Sequence, residues 1–315
     1  MRSTLSLLLK VYIFAIPLAL LLVGGLLMLT NTILAGTSST SVTVQGAVPT
    51  VTVVNISPDP IIPTENATTS ITITATISDS NGCDDVFTSG TIAVALYRSG
   101  VGASCSVDDN NCYQNITWAE VGNTCGGGAD TSGDMVATAT IWYFTEATDA
   151  SSTYSGETWQ AQVKAVDESN ASSTATDASP PELNSVYALT VDSAIAYGSM
   201  SADATSTLSE IGQSTTTVTN TGNYKIDTEV SGTDMTGSGT IIASKQKYAT
   251  SLLGYESLTY TLSTSATARD LNIVKATSSS TPSTQDTYWG ISIPSAQAEG
   301  GYSGTNTFTA IYSAD

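Results

Sequence analysis

The sequence predicts an all-β chain, two antiparallel β-sandwiches behind an N-terminal hydrophobic helix. Three observations carry that expectation. Apolar and hydroxyl residues alternate with period two, most clearly over Ser70–Ile77, where Ile71, Ile73, Ala75 and Ile77 point one way and Thr72, Thr74 and Thr76 the other. No stretch after residue 36 carries the 3.6-residue period of an amphipathic helix. Turn residues such as Asn81-Gly82 break the chain into short runs.

The leading segment is Val11–Leu29, an unbroken apolar run behind Arg2 and Lys10. At a helical rise of about 1.5 Å per residue it spans about 28 Å, one hydrocarbon core. Two readings stay open for residues 1–36. The segment is a long signal peptide cut near Ala35, or an uncleaved signal anchor with Arg2 and Lys10 held inside. Pro17 and the pair Gly24-Gly25 loosen the helix and suit a processed signal. In both readings the rest of the chain lies outside the cytoplasm, and an uncleaved segment makes the membrane a partner.

Composition narrows the function classes. The chain holds 28 acids, nine bases and no histidine, a net charge of −19. Two of the bases, Arg2 and Lys10, belong to the leading segment, so the remainder is more acidic still. Nucleic-acid binding is a poor expectation, because phosphate neutralisation needs clustered bases. Missing histidine removes the usual general base near neutral pH and His-ligated zinc. No catalytic residues, enzyme activity or organic cofactor are expected.

Residues 37–48 (TSSTSVTVQGAV) read as a polar tether. The first predicted sandwich covers 49–183, with strands over Val51–Ile56, Ser70–Ile77, Thr91–Tyr97, Met135–Phe144 and Thr158–Val166, and an edge strand over Thr174–Ala178. Pro58, Pro60 and Pro63 end the first strand. A loop-rich insert follows Tyr97 and holds three of the four cysteines. Pro180-Pro181 marks the boundary. The second sandwich covers 186–315, with strands over Val186–Val191, Gln213–Thr219, Tyr224–Val230, Ser257–Leu262, Leu271–Val274, Thr287–Ile293 and Thr305–Tyr312, and a hydrophilic loop over Ser278–Thr284.

Four cysteines, Cys83, Cys105, Cys112 and Cys125, imply two disulfides in an exported chain. Three connectivities are open. The spacing favours Cys105–Cys112 closing a small loop and Cys83–Cys125 tying two loops together. No CxxC pair is present, which speaks against a zinc ribbon.

The first half, with its proline-terminated strand, ITITATISDSNG and WQAQVKAVDES, resembles bacterial Ig-like or fibronectin-III-like modules of envelope and secreted proteins. The second half is similar to sandwich ends of secreted proteins through TVTNTGNYKIDTEVSGTD and IPSAQAEGGYSGTNTFTA. The resemblance implies an Ig-like fold and an envelope location, and transfers no catalytic residue.

Three sets of candidate sites follow. Asp79, Asp84, Asp85, Asp108 and Asp109, with Asp149 and Asp167 near strand ends, offer loop oxygens of the kind that collect around Ca²⁺. The alternative is solvated turn acids, since Asp favours turns for its own backbone bonding. Among the aromatics, Trp142 and Trp159 are expected in the core, and Trp118 with Tyr113 is the candidate ligand-stacking surface. Asn66, Asn115 and Asn170 begin glycosylation triplets, as does Asn55 in a poorer proline context. The functional expectation is an exported envelope structural or interaction protein whose partners are other envelope proteins or glycans. An adhesin or carbohydrate-binding module, or a strand-donating fibre subunit, is the alternative.

Overall fold

The computed structural model describes residues 37–127, 129–208 and 212–314. The predicted leading helix, and with it the membrane segment, lies outside the described residues. Among those described, no helix is long and apolar enough to cross a membrane.

The alternation read from the sequence builds the first strands. β1 (Thr50–Ser57) pairs antiparallel with β2 (Thr68–Ser78), setting Val51 opposite Ile77 and Ile56 opposite Ile73. Ile71, Ile73, Ala75 and Ile77 are buried, and the threonines between them stay half-exposed. A single helical turn, α1 (Asp84–Phe87), precedes β3 (Thr91–Arg98). The insert after β3 contains two short strands, β4 (Cys112–Tyr113) and β5 (Trp118–Glu120). They are too short to show a period and form because β3 and β6 (Ser132–Trp142) offer open edges. β7 (Trp159–Val166) and the edge strand β8 (Ser172–Thr176) follow.

These strands form two four-stranded sheets, ordered β1-β2-β6-β5 and β4-β3-β7-β8. Ile71, Ile73, Ile77, Met135 and Ile141 from one meet Val94, Leu96, Trp159 and Val163 from the other in a single core. Leu183 joins that core through a bridge to Ile61.

The chain continues through β9 (Leu189–Val191), β10 (Gln213–Asn220), β11 (Ile226–Gly232), β12 (Met235–Thr236), β13 (Thr240–Ile241), β14 (Gln246–Ala249), β15 (Tyr260–Thr261), β16 (Thr267–Ile273), β17 (Ser283–Ile291) and β18 (Asn306–Tyr312). They assemble as β15-β14-β17-β10-β9, β16-β11-β18 and the hairpin β12-β13. All ladders between these strands are antiparallel. Trp289 and Tyr248, stacked with centroids 4.5 Å apart, centre one core with Val230 and Leu262. Val218, Ile226, Leu271 and Ile273 form another.

Several details depart from the sequence expectation. The strand expected over Ser257–Leu262 shrinks to Tyr260–Thr261 behind a 3₁₀ turn at Tyr255–Ser257, and the one expected from Val186 begins at Leu189. Ser283 and Thr284 belong to β17, not to the hydrophilic loop, because they pair with Asn220 and Thr219. The expected strand from Tyr224 begins only at Ile226. Tyr224 packs instead against Tyr187 and Tyr312.

A polar seam joins the strands before Leu183 to those after it. Lys275 Nζ lies 3.0 Å from Glu146 Oε1 and donates to Asn110 Oδ1 at 2.6 Å and to the Phe144 carbonyl at 2.9 Å. Asn110 Nδ2 donates to the Thr277 carbonyl, and Asn223 Nδ2 to the Thr145 carbonyl. Tyr143 and Phe144 pack beside it on Ala276. Replacing Lys275 by Met leaves a mostly buried carboxylate and two acceptors unpaired, and is expected to cost about 2 kcal/mol. The midpoint of urea unfolding, followed by tryptophan fluorescence, measures it.

Candidate functional site

The period-two rule that buries the core carries on one step past two strand ends. In β2 the inward row is Ile71, Ile73, Ala75 and Ile77, and the next inward position is Asp79. In β7 it is Trp159, Ala161, Val163 and Ala165, and the next is Asp167. Asp79 is 2 % exposed and Asp167 3 %. The two strands belong to different sheets that share a core, so both rows end in an acid at the same end.

Asp85 completes the group from the first turn of α1. Three local features place it. Gly82 takes φ +123°, a conformation that suits glycine, and turns the chain after Asn81. The Cys83–Cys125 disulfide, with Cα atoms 5.7 Å apart, fastens the start of the helical turn to the loop before β6. Gly90 lets the entry to β3 lie flat on β7, since a Cβ there would sit 2.1 Å from the Val166 carbonyl oxygen. One carboxylate oxygen from each of Asp79, Asp85 and Asp167 lies within 4.8 Å of the others.

Each carboxylate is aimed by backbone donors on its Oδ1. Asp79 Oδ1 accepts from Asn81 N at 2.7 Å, and Asp85 Oδ1 from Glu168 N at 3.1 Å. Asp167 Oδ1 accepts from Ala171 N at 2.7 Å and Ser169 Oγ at 2.9 Å. Asp79 Oδ2 and Asp167 Oδ2 are buried with no hydrogen-bond partner. The ion pairs among the described residues are Arg98–Glu157, Lys247–Glu256 and Lys275–Glu146, and none reaches these acids. At an effective dielectric of about 20, two carboxylates at such separations repel by roughly 3–4 kcal/mol. The arrangement is a set of hard oxygen donors without nitrogen or sulfur.

The other acids expected in an oxygen-rich site do not join it. Asp84 is exposed and accepts from Thr88 Oγ1. Asp108 lies in the loop closed by Cys105–Cys112, the second disulfide, and accepts from Asn110 N, Asn110 Nδ2 and Asn111 Nδ2. Partial burial opposes ionisation there, but the hydrogen bonds from Asn111 and Asn110 and the Lys275 charge hold its carboxyl below the ordinary value. Asp109 is exposed, and its carbonyl accepts from the Tyr113 hydroxyl. Asp149 binds Ser185 through both oxygens. Asp108 thus serves its own local turn, whereas Asp149 ties the end of the first set of strands to Ser185. Both disulfides follow the pairing that the spacing favours.

Trp118 and Tyr113 are both half-buried. Trp118 lies in β5 and meets Phe87 edge-on at 5.8 Å. The Tyr113 hydroxyl is hydrogen-bonded to Thr145 Oγ1 at 2.7 Å, and burial pushes its pKa up to about 12. Trp159 and Trp289 are fully buried; Trp142 is half-buried and stacks on Phe144. Asn66, Asn115 and Asn170 are exposed in left-handed backbone, a conformation asparagine tolerates better than most residues. Asn55 is an exposed residue of β1. No family model matches the chain, and no curated protein matches it.

Proposed function

We propose that the chain is a non-enzymatic protein of the cell envelope, exported by its leading segment and serving as a structural or interaction module. On this reading residues 1–36 are the leader or anchor and 37–48 the tether. Residues 49–183 and 186–315 are then two Ig-like β-sandwiches. The observation that carries it is the oxidation of all four cysteines within an all-β body. Disulfides persist in oxidising compartments and are rare in the cytosol. The absence of histidine and the large negative charge support a role outside acid–base catalysis and nucleic-acid binding. Sheet faces rich in Thr and Ser suit a surface that resists nonspecific association and leaves edge strands such as β8 for pairing with other envelope proteins.

The test is cell fractionation with thiol alkylation before lysis, read by intact mass before and after reduction. The expected result is protein in the envelope or medium, with no alkylated cysteine until it is reduced. Protein in the cytoplasm with four alkylated thiols would sink the reading.

A second reading has its own observation. Val42 and Val44 alternate in the tether and are 87 % and 75 % exposed, the pattern of a strand awaiting an edge. Strand donation to a neighbouring molecule predicts that deleting residues 37–45 abolishes self-association in sedimentation. Equal behaviour with and without them removes it.

A further inference from the structure

We propose that Asp79, Asp85 and Asp167 form a calcium site that fastens the ends of β2 and β7 to α1. The site stands on geometry and not on the envelope reading, so the two fail separately.

Two independent observations meet here. Three carboxylates converge within 4.8 Å. Two of them, from side chains at least nine-tenths buried, leave an oxygen without any partner. A buried oxygen of that kind is costly unless something binds it. Bulk solvent scarcely reaches Asp79 and Asp167. An ammonium or guanidinium does not supply the partner, since no ion pair among the described residues includes these acids.

The donor set selects the ion. Carboxylate oxygens alone suit a hard divalent cation, and a site without imidazole or thiolate gives zinc no preference. Calcium binds oxygens at about 2.4 Å, so two of its ligands lie at most about 4.8 Å apart. Magnesium at about 2.1 Å requires closer oxygens in a stricter octahedron. Backbone donors already hold each Oδ1, which leaves the Oδ2 atoms of Asp79 and Asp167 for the ion and orients them beforehand. Asp85, half-exposed, forms the open side, where water completes the coordination. The bound ion draws together one strand end from each of two sheets and the helical turn behind Cys83. It acts there as a third staple beside the two disulfides.

The experiment uses the full chain with its disulfides intact, stripped with a chelator and titrated calorimetrically with CaCl₂. One ion per chain is expected, with a dissociation constant at or below about 1 mM. The melting temperature should rise by roughly 3–6 °C at about tenfold excess over that constant. Asp85→Asn keeps the acceptor for Glu168 N and should weaken binding at least about tenfold. Asp167→Asn should do the same, and Asp108→Asn, outside the cluster, should change nothing. MgCl₂ should bind at least about tenfold more weakly than CaCl₂. If Asp167→Asn does not fold, Asp85→Asn decides alone. The proposal is overturned by any of three results. They are no saturable calcium heat up to about 5 mM, binding unchanged in Asp85→Asn, or magnesium binding as tightly as calcium.

Discussion

Replacing Cys83 and Cys125 together by alanine is expected to cost about 4 kcal/mol. The bridge spans 42 residues, and the entropy that such a loop removes from the unfolded chain grows with the logarithm of its length. The Cys105–Cys112 bridge spans seven residues and is expected to contribute about 2.4 kcal/mol on the same basis. The native contacts push the ranking the same way. Cys83 is fully buried and its N–H donates to the Asp130 carbonyl, so the longer bridge holds α1 and Asp85 against the loop before β6. Gly133 packs tightly on that bridge; a Cβ there would meet Cys125 Cβ and the Phe87 ring at 3.0 Å. Urea midpoints of the two double variants, each kept non-reduced, measure the order. A smaller loss for Cys83→Ala/Cys125→Ala than for Cys105→Ala/Cys112→Ala would overturn this account of the insert.

Local pattern sufficed where a strand is long and one-sided. β2, β6 and β7 each alternate over eight or more residues, and their inward sets are the buried ones. Strands of two to four residues, β12 to β15 among them, carry no readable period. β14 exists because a longer neighbour, β17, offers unpaired backbone groups, while β12 and β13 pair only with each other. Single-chain periodicity holds no information about such a neighbour. The polar seam was hidden for a related reason. Lys275 and Glu146 are 129 positions apart in sequence and become partners only once the strands around them are in place.

The acid cluster was half legible. Asp79 and Asp167 each extend an alternating row by one inward step, and that parity was there to be read in Ile77–Asp79 and Ala165–Asp167. Grouping acids by closeness in sequence set Asp79 and Asp85 together, added Asp84, Asp108 and Asp109 to them, and left Asp167 apart at its strand end. Asp84 and Asp85 are neighbours in a helical turn and point apart, so one is exposed and the other joins the cluster. That choice is made by Gly82, Gly90 and the Cys83–Cys125 bridge, none of which fixes a helical phase until the tertiary contacts exist.

Trp159→Ala is expected to cost 3–5 kcal/mol, about the range for deleting a large aromatic from a packed core. Trp159 is fully buried among Leu96, Met135, Ile141 and Leu183, and its ring meets Tyr113 at 6.1 Å. Trp159→Phe keeps much of that volume but removes the Nε1 donor that reaches the Glu146 carbonyl at 3.0 Å. The smaller change is expected to cost about 1–3 kcal/mol, because a part-buried acceptor loses its partner. Glu146 is also the residue that Lys275 pairs with, so the core tryptophan and the polar seam act on the same short segment. The two substitutions Trp159→Phe and Lys275→Met should therefore fail to add, with a coupling of at least about 0.5 kcal/mol in a double-mutant cycle. The same cycle run with Trp289→Phe, whose Nε1 donates to Thr287 Oγ1 in another core, should show none. Additivity in both cycles would mean that Glu146 transmits nothing between the core and the seam.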